Sequence, residues 1–192
     1  MPIITINKLI KDYDLNGIAV NAIRGIDMTI DKGEFTAIAG PSGSGKTTLL
    51  NIIGGLDYPT SGSVIVGDRD LSGMSSRELS DMRLNNIGFI FQAYNLIPVL
   101  SAMENVEYIL LLQGVNKKER QDRAREMLKE VGLEKETDRL PKDMSGGQQQ
   151  RVAVARAIVS EPGIILADEP TGNLDQKTGA GLLDLMHELN KK

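Results

Sequence analysis

The segment GPSGSGKT, Gly40–Thr47, sets three glycines, a lysine and a threonine at spacings that suit a phosphate. Glycines let backbone amides curl around an anion, and a helix opening here would aim its N-terminal amides at the same point. In such a loop Lys46 reaches the β- and γ-phosphates of a nucleotide, and the Thr47 hydroxyl ligates Mg2+. A glycine-rich turn before an exposed lysine would share the spacing. The apolar run ahead of the loop and the helical periodicity behind it favour the phosphate reading.

Two carboxylates close the apolar run IILADE. At the carboxyl end of a buried strand, where open α/β sheets bind ligands, Asp168 would hold Mg2+ through water and Glu169 would polarise an attacking water. A second anion site is written in MSGGQQQRVAVARAI. Ser145 can cap a helix there, and Gly146 and Gly147 admit a phosphate close to its first amides. A plain N-cap accounts for the serine but not for both glycines.

Particular elements must hold these groups. EFTAIAG reads as a mostly apolar strand running into the loop, and KTTLLNIIGGL as a helix ending at Gly54 and Gly55. Before them, IITINKLI and AVNAIRGIDMTI read as antiparallel strands separated by the turn-prone DLNG. GSVIVGD reads as an edge strand, SSRELSDMRL as a short helix and IGFIFQ as a buried strand. From Ala93 to Met144 helices take over, with capping boxes that pair Ser101 with Glu104 and Asn116 with Glu119. GIILAD has the continuous apolar character of a strand buried on both faces of a parallel sheet, and the last helix starts near Gln176.

The 192 residues suit one domain, 41% of them hydrophobic and 25% charged, with no apolar run long enough to cross a bilayer. With no cysteine and a single histidine, a disulfide framework, a thiolate metal site and a histidine cage are excluded. A net charge of −4 argues against general nucleic-acid binding. Arg151, Arg156 and the stretch KKERQDRAR are interleaved with acids rather than aromatics and read as a solvated helix face. The N-terminus lacks the pattern of a secretion signal, so a cytosolic chain is expected.

Taken in order, GPSGSGKT, FQ, MSGGQ, IILADE and GNLD resemble the Walker A loop, Q-loop, signature, Walker B strand and D-loop of the ATP-binding subunit of ABC transporters. The resemblance covers almost the whole chain. FQAYNLIPVLSAMENV, SGGQQQRVAVARAI and LADEPTGNLD are similar to the lipoprotein-release and macrolide-export branch. The implied fold is α/β: a P-loop NTPase core of the RecA-like kind with an antiparallel β subdomain and a helical insertion. The implied single domain spans 1–192, with 1–92 and 145–192 as core and 93–144 as helical subdomain.

The resemblance also implies roles. ATP would lie on Gly40, Pro41, Ser42, Gly43, Ser44, Gly45, Lys46, Thr47 and Thr48, with Tyr13 stacked on adenine; a strand tyrosine facing core or solvent is the alternative. Glu169, Gln92 and Lys46 would be catalytic, and Thr47, Gln92 and Asp168 would hold Mg2+. Ser145, Gly146, Gly147 and Gln148 would cover the ATP of a second copy in a head-to-tail homodimer. Asp175 would be the D-loop aspartate near that opposite site, an N-cap for the last helix, or both. An integral membrane permease is the implied partner, on the cytoplasmic face of the membrane. Residues 95–112 would lie near its coupling helix, with Tyr94, Leu96, Ile97 and Pro98 as contacts or as core.

In the family a switch histidine follows the next strand. The lone histidine, His187, falls instead within the last helix, off the apolar stripe of Leu182, Leu185, Met186 and Leu189, and is expected to face solvent. The expected return strand is missing before Lys192, which reads as a fragment or as a naturally short protein. Two rival functions follow: a module that binds ATP but hydrolyses it weakly, and a soluble ABC ATPase of DNA repair or translation. The latter's long coiled coils or paired cassettes are not in this sequence.

Overall fold

The computed structural model describes residues 1–15 and 17–191, and its packing divides the chain into two compact units, Met1–Arg83 and Leu84–Lys192. Among the described residues no helix is long and apolar enough to cross a membrane.

In the first unit β1 (Pro2–Leu15) pairs antiparallel with β2 (Ile18–Asp31) and with β3 (Ser61–Val66), and β3 pairs with the short β4 (Arg69–Asp70). The order is β2-β1-β3-β4, so the expected edge strand GSVIVGD lies inside the sheet and β4 takes the edge. The DLNG turn includes Asn16, which lies outside the described residues; Gly17 beyond it has φ 84° and donates its amide to Asp14 Oδ1 at 2.7 Å.

β1 buries Ile4 and Ile6, and then Leu9 instead of Lys8. A strand alternates faces, so this change of phase needs an extra residue. The register slips between Ile6 and Leu9, where Lys8 has φ 46° and its amide donates to Asp27 Oδ1 at 2.8 Å. Gly62 makes room for the bulge: a Cβ there would overlap the Lys8 carbonyl oxygen.

α1 (Lys46–Ile53) buries Leu49, Ile52 and Ile53 and ends at Gly54, as its periodicity predicts. α2 (Ser76–Asn86) buries Leu79 and Met82, and Arg83 Nη1 donates to Gly55 O at 2.6 Å. EFTAIAG, however, is not a strand: residues 34–40 are irregular and exposed, Phe35 and Ile38 included. A strand exists only through its ladder, and neither described sheet takes this segment in.

In the second unit β5 (Ile87–Phe91) and β6 (Ile164–Asp168) pair in parallel, with Phe91 opposite Asp168 as the last pair. With one described neighbour, β6 is less enclosed than its apolar run suggests, and Ile165 stays 38% exposed. Around them pack α3 (Ala102–Leu112), α4 (Lys117–Glu130), α5 (Gly146–Ile158) and α6 (Gln176–Asn190). Val106, Leu110, Leu128, Val152, Val154 and Leu182 are among the residues that form one core with Ile90. β5 runs close beneath α5, since a Cβ on Gly88 would overlap the Ala157 carbonyl oxygen.

The caps mostly follow the expected pattern. Ser101 and Glu104 form the reciprocal box at α3. At α4 Asn116 Oδ1 accepts from the Glu119 amide, but Glu119 Oε2 accepts from the Asn116 side chain rather than from its backbone. On α6 Leu182 is buried, Leu185, Met186 and Leu189 pack on the core, and His187 is exposed.

Candidate functional site

The first unit carries the phosphate loop. Gly43 and Gly45 have φ 78° and 89°, values open to glycine at little cost. Gly45 is the N-cap of α1 and has no side chain to cap it, and the helix's first turn holds no acid. The helix start therefore turns the positive end of its dipole toward the loop with no acidic side chain to offset it. Lys46 folds back over the loop and donates from Nζ to Gly40 O at 2.9 Å and Pro41 O at 3.0 Å. A cation held by two neutral carbonyls is ready to exchange them for phosphate oxygens.

Tyr13 stands beside this loop. Its hydroxyl donates to Asp57 Oδ2 at 2.7 Å, and the Thr48 side chain, on the helix that follows the loop, hydrogen-bonds to it. Lys11 Nζ lies 4.7 Å from the ring centroid and donates to Asp57 Oδ1 at 2.7 Å and Tyr58 O at 2.8 Å. Burial and the Asp57 acceptor raise the Tyr13 phenol above its ordinary pKa. Burial alone would raise Asp57 as well, but the Lys11 and Tyr13 hydrogen bonds outweigh it and hold the carboxyl below the usual carboxylate range. The ring is half-buried and positioned by β1, the segment after α1, and α1 itself.

In the second unit the parallel register places Gln92 and Glu169 next to each other in sequence position, each one residue past the last pair of β5 and β6. Glu169 takes φ 46°, a left-handed conformation that costs a residue with a Cβ about 1–2 kcal/mol. Such strain concentrates at functional positions. The Gly172 amide closes the turn onto Glu169 O at 3.0 Å. Gln92 lies across Gly172, where a Cβ would come within 2.7 Å of its Nε2. Asn173 Nδ2 donates to Gln92 O at 2.9 Å, fastening the two strand ends together.

The second anion turn opens α5. Ser145 Oγ accepts from the Gln148 amide at 3.3 Å, and Gln148 Oε1 accepts from the Ser145 amide at 3.0 Å. Gly146 and Gly147 are also sites of tight packing within the chain: a Cβ on Gly146 would lie 2.7 Å from Tyr94 Oη, and one on Gly147 would lie 2.7 Å from Thr178 Cγ2. Asp175 caps α6, accepting from the amides of Lys177 and Thr178 at 3.1 and 3.0 Å. The Thr178 hydroxyl, which donates to it at 2.5 Å, holds its carboxyl below the usual range.

Three residues of α5 exceed their sequence reading. Gln150 is fully buried and donates from Nε2 to Phe91 O at 3.3 Å and Pro170 O at 2.7 Å. It sits on the helix stripe of Ala153, Val154 and Ala157, and one polar residue on an apolar stripe is a signal the sequence carries. Arg156 is not on a solvated face: its guanidinium donates to Tyr94 O at 2.9 Å and Asn95 O at 2.6 Å, and burial lowers its pKa from the usual value. Arg151 likewise packs inward, donating to Val131 O at 2.9 Å. Gly172 and Asn173 belong to the GNLD motif, but their contacts with Gln92 are fixed only by the strand register.

Among the described residues no cluster of three His, Cys, Asp or Glu side chains could hold a metal unaided. Thr47, Asp168 and Gln92 offer a hydroxyl, one carboxylate and an amide. Hydroxyl, carboxylate and amide oxygens are hard donors of the kind Mg2+ takes beside phosphate and water.

Comparison with known proteins follows the same lines. The family model described as ABC transporter matches residues 23–172. An uncharacterized ABC transporter ATP-binding protein of Thermotoga maritima is 51% identical over 184 residues, 94% of this chain and 79% of that one. The lipoprotein-releasing system ATP-binding protein LolD of Legionella pneumophila strain Paris is 46% identical over 190 residues, 99% and 84% of the two chains. Among solved structures, the dimeric structure of MJ0796, a bacterial ABC transporter cassette, superposes with a TM-score of 0.90 at 45% identity, covering 98% of this chain and 83% of that one. A dimeric post-hydrolysis state of MJ0796 bound to ADP and Pi gives 0.89 at 44% identity, covering 97% and 82%.

Proposed function

Because the chain belongs to the ABC transporter family, as one of its ATP-binding proteins, we propose that it works as a head-to-tail homodimer that clamps ATP and drives an integral membrane permease. The chain is an ATPase of mixed α/β, P-loop NTPase fold, similar to the LolD proteins. The reading rests on one observation: the chain carries two glycine-bounded helix N-termini, α1 behind Gly45 and α5 at Gly146 and Gly147. A nucleotide on the first of one copy and the second of another would join two copies.

In this reading Gly40 to Thr48 cradle the phosphates, Lys46 gives up the Gly40 and Pro41 carbonyls for them, and Tyr13 stacks on adenine. Thr47, Gln92 and Asp168 would hold Mg2+, which supplies charge neutralisation at the phosphates when bound. Glu169 orients the attacking water and accepts its proton. Gln92, fastened beside that turn by Asn173, registers whether the γ-phosphate is present. Ser145, Gly146, Gly147 and Gln148 cover the opposite nucleotide, with Asp175 near it. Cleavage removes the bridging charge, the copies part, and the permease moves.

Further parts of the proposal are a site on the cytoplasmic face of the membrane, an export or lipoprotein- or peptide-release task, and 93–144 as a helical subdomain within one domain. Likeness to the lipoprotein-releasing proteins supports the task. Glu169→Gln tests the core of the reading, because an amide cannot accept the water's proton. ATP binding should persist while turnover falls about 100-fold or more. Unchanged turnover would remove Glu169 from the reaction.

A further inference from the structure

Tyr94 and Asn95, just beyond Gln92, both adopt left-handed backbone, with φ 56° and 50°. That region disfavours residues with a Cβ, and an aromatic more than an asparagine, so neighbouring contacts must hold it. Arg156 supplies them from the last third of α5, donating to both carbonyls. A planar guanidinium fork spans two successive carbonyls where a lysine's point charge would not.

The backbone fixed in this way delivers the Tyr94 ring to the other end of the same helix. Its hydroxyl fills the space at Gly146 where a side chain would stand, with Cζ 3.6 Å from the Cβ position. Between these two points Gln150 holds the Phe91 carbonyl, directly ahead of Gln92. Segment 91–95 is thus attached to α5 at three places: the N-terminal turn, one turn in, and near the C-terminal end.

We propose that Tyr94 is a positioning residue for the anion-binding turn at Ser145–Gly147. Clamped by Arg156 and resting on Gly146, it makes the turn after Gln92 and the start of α5 one mechanical piece. The inference rests on the composite-site reading above. The role assigned to Tyr94 is exerted through Gly146 and not on the reacting atoms.

The test is made in the Glu169→Gln chain, where ATP should hold the dimer. ATP-dependent dimerisation is measured by sedimentation, and affinity for a fluorescent ATP analogue is measured at concentrations where the chain is monomeric. Tyr94→Ala should weaken dimerisation about tenfold or more while analogue affinity stays within about twofold. Arg156→Lys, which keeps charge but loses the fork, should show the same split. If the alanine variant does not fold, Tyr94→Phe serves: it lacks only the hydroxyl nearest Gly146 and should weaken dimerisation about threefold at unchanged affinity.

Unchanged dimerisation in these variants overturns the inference, as does a loss of dimerisation that merely tracks loss of analogue affinity and Tm. If the Glu169→Gln parent itself fails to dimerise with ATP, the composite-site reading falls and takes the inference with it. If the parent dimerises and Tyr94→Ala does so equally well, only the inference falls.

Discussion

Tyr13 donates its hydroxyl to Asp57 Oδ2 over 2.7 Å, while Lys11 bridges the same carboxylate and the tyrosine's ring. The ring proposed to stack on adenine is therefore not a free platform. It is held by a carboxylate on the segment that follows the phosphate-loop helix, so base and phosphate positions are fixed relative to each other.

Asp57→Asn should lower both stability and nucleotide affinity. The charge-assisted bonds to Lys11 and Tyr13 weaken together, at about 1–3 kcal/mol for a hydrogen-bonded carboxylate that is mostly shielded from solvent. Because the folded chain holds Asp57 below the usual carboxylate range, its contribution is present above that range and lost as pH falls through the folded value. Urea melts at stepped acidic pH should show a shallower acid limb in the variant. The same limb in both chains would separate Asp57 from the stabilisation.

Ser101 and Ser145 provide a matched pair. Each opens a helix with a reciprocal box, to Glu104 and Gln148 respectively. Alanine at either position should cost about 1 kcal/mol by denaturant melt. Only Ser145→Ala should also lower ATP turnover, by about tenfold, because only that turn is proposed to meet a nucleotide. Equal turnover in the two variants would reduce Ser145 to a structural cap.

Gly147 is constrained from inside the chain. Gly147→Ala sets a methyl 2.7 Å from Thr178 Cγ2, an overpacking that should destabilise by about 1–3 kcal/mol. Thr178→Ser removes that methyl and keeps the hydroxyl bonded to Asp175. The double variant should recover most of the lost Tm, as a double-mutant cycle reads directly. No recovery would mean that the contact does not decide the glycine.

Much of the local geometry of the candidate site was legible because its signals are local. Glycine spacing at Gly40, Gly43 and Gly45, the Ser145 cap and the carboxylates ending β6 declare themselves within a few residues, and helices α1, α3, α5 and α6 follow from periodicity and caps. What was not legible depends on distant partners. EFTAIAG has a strand's composition but no ladder in the described sheets, and the bulge at Lys8 exists because Gly62, far along the chain, leaves room for it. Arg156 looked like surface charge because nothing in sequence tells a helix that two left-handed carbonyls wait beside it. Tyr94, read as a permease contact or as core, lies half-buried on Gly146 for the same reason.

The central claim is that each ATP is shared between two copies, and mixing two crippled chains tests it most directly. Lys46→Ala removes the phosphate-loop cation, and Ser145→Arg blocks the signature turn; each chain alone should be nearly inactive. Mixed in equal amounts, half of the dimers pair one of each, and each such dimer has one site with an intact Lys46 facing an intact Ser145. ATP turnover should return to roughly a quarter of the unmodified level. Turnover no greater than the sum of the two separate chains, or full turnover by either alone, would contradict a shared site.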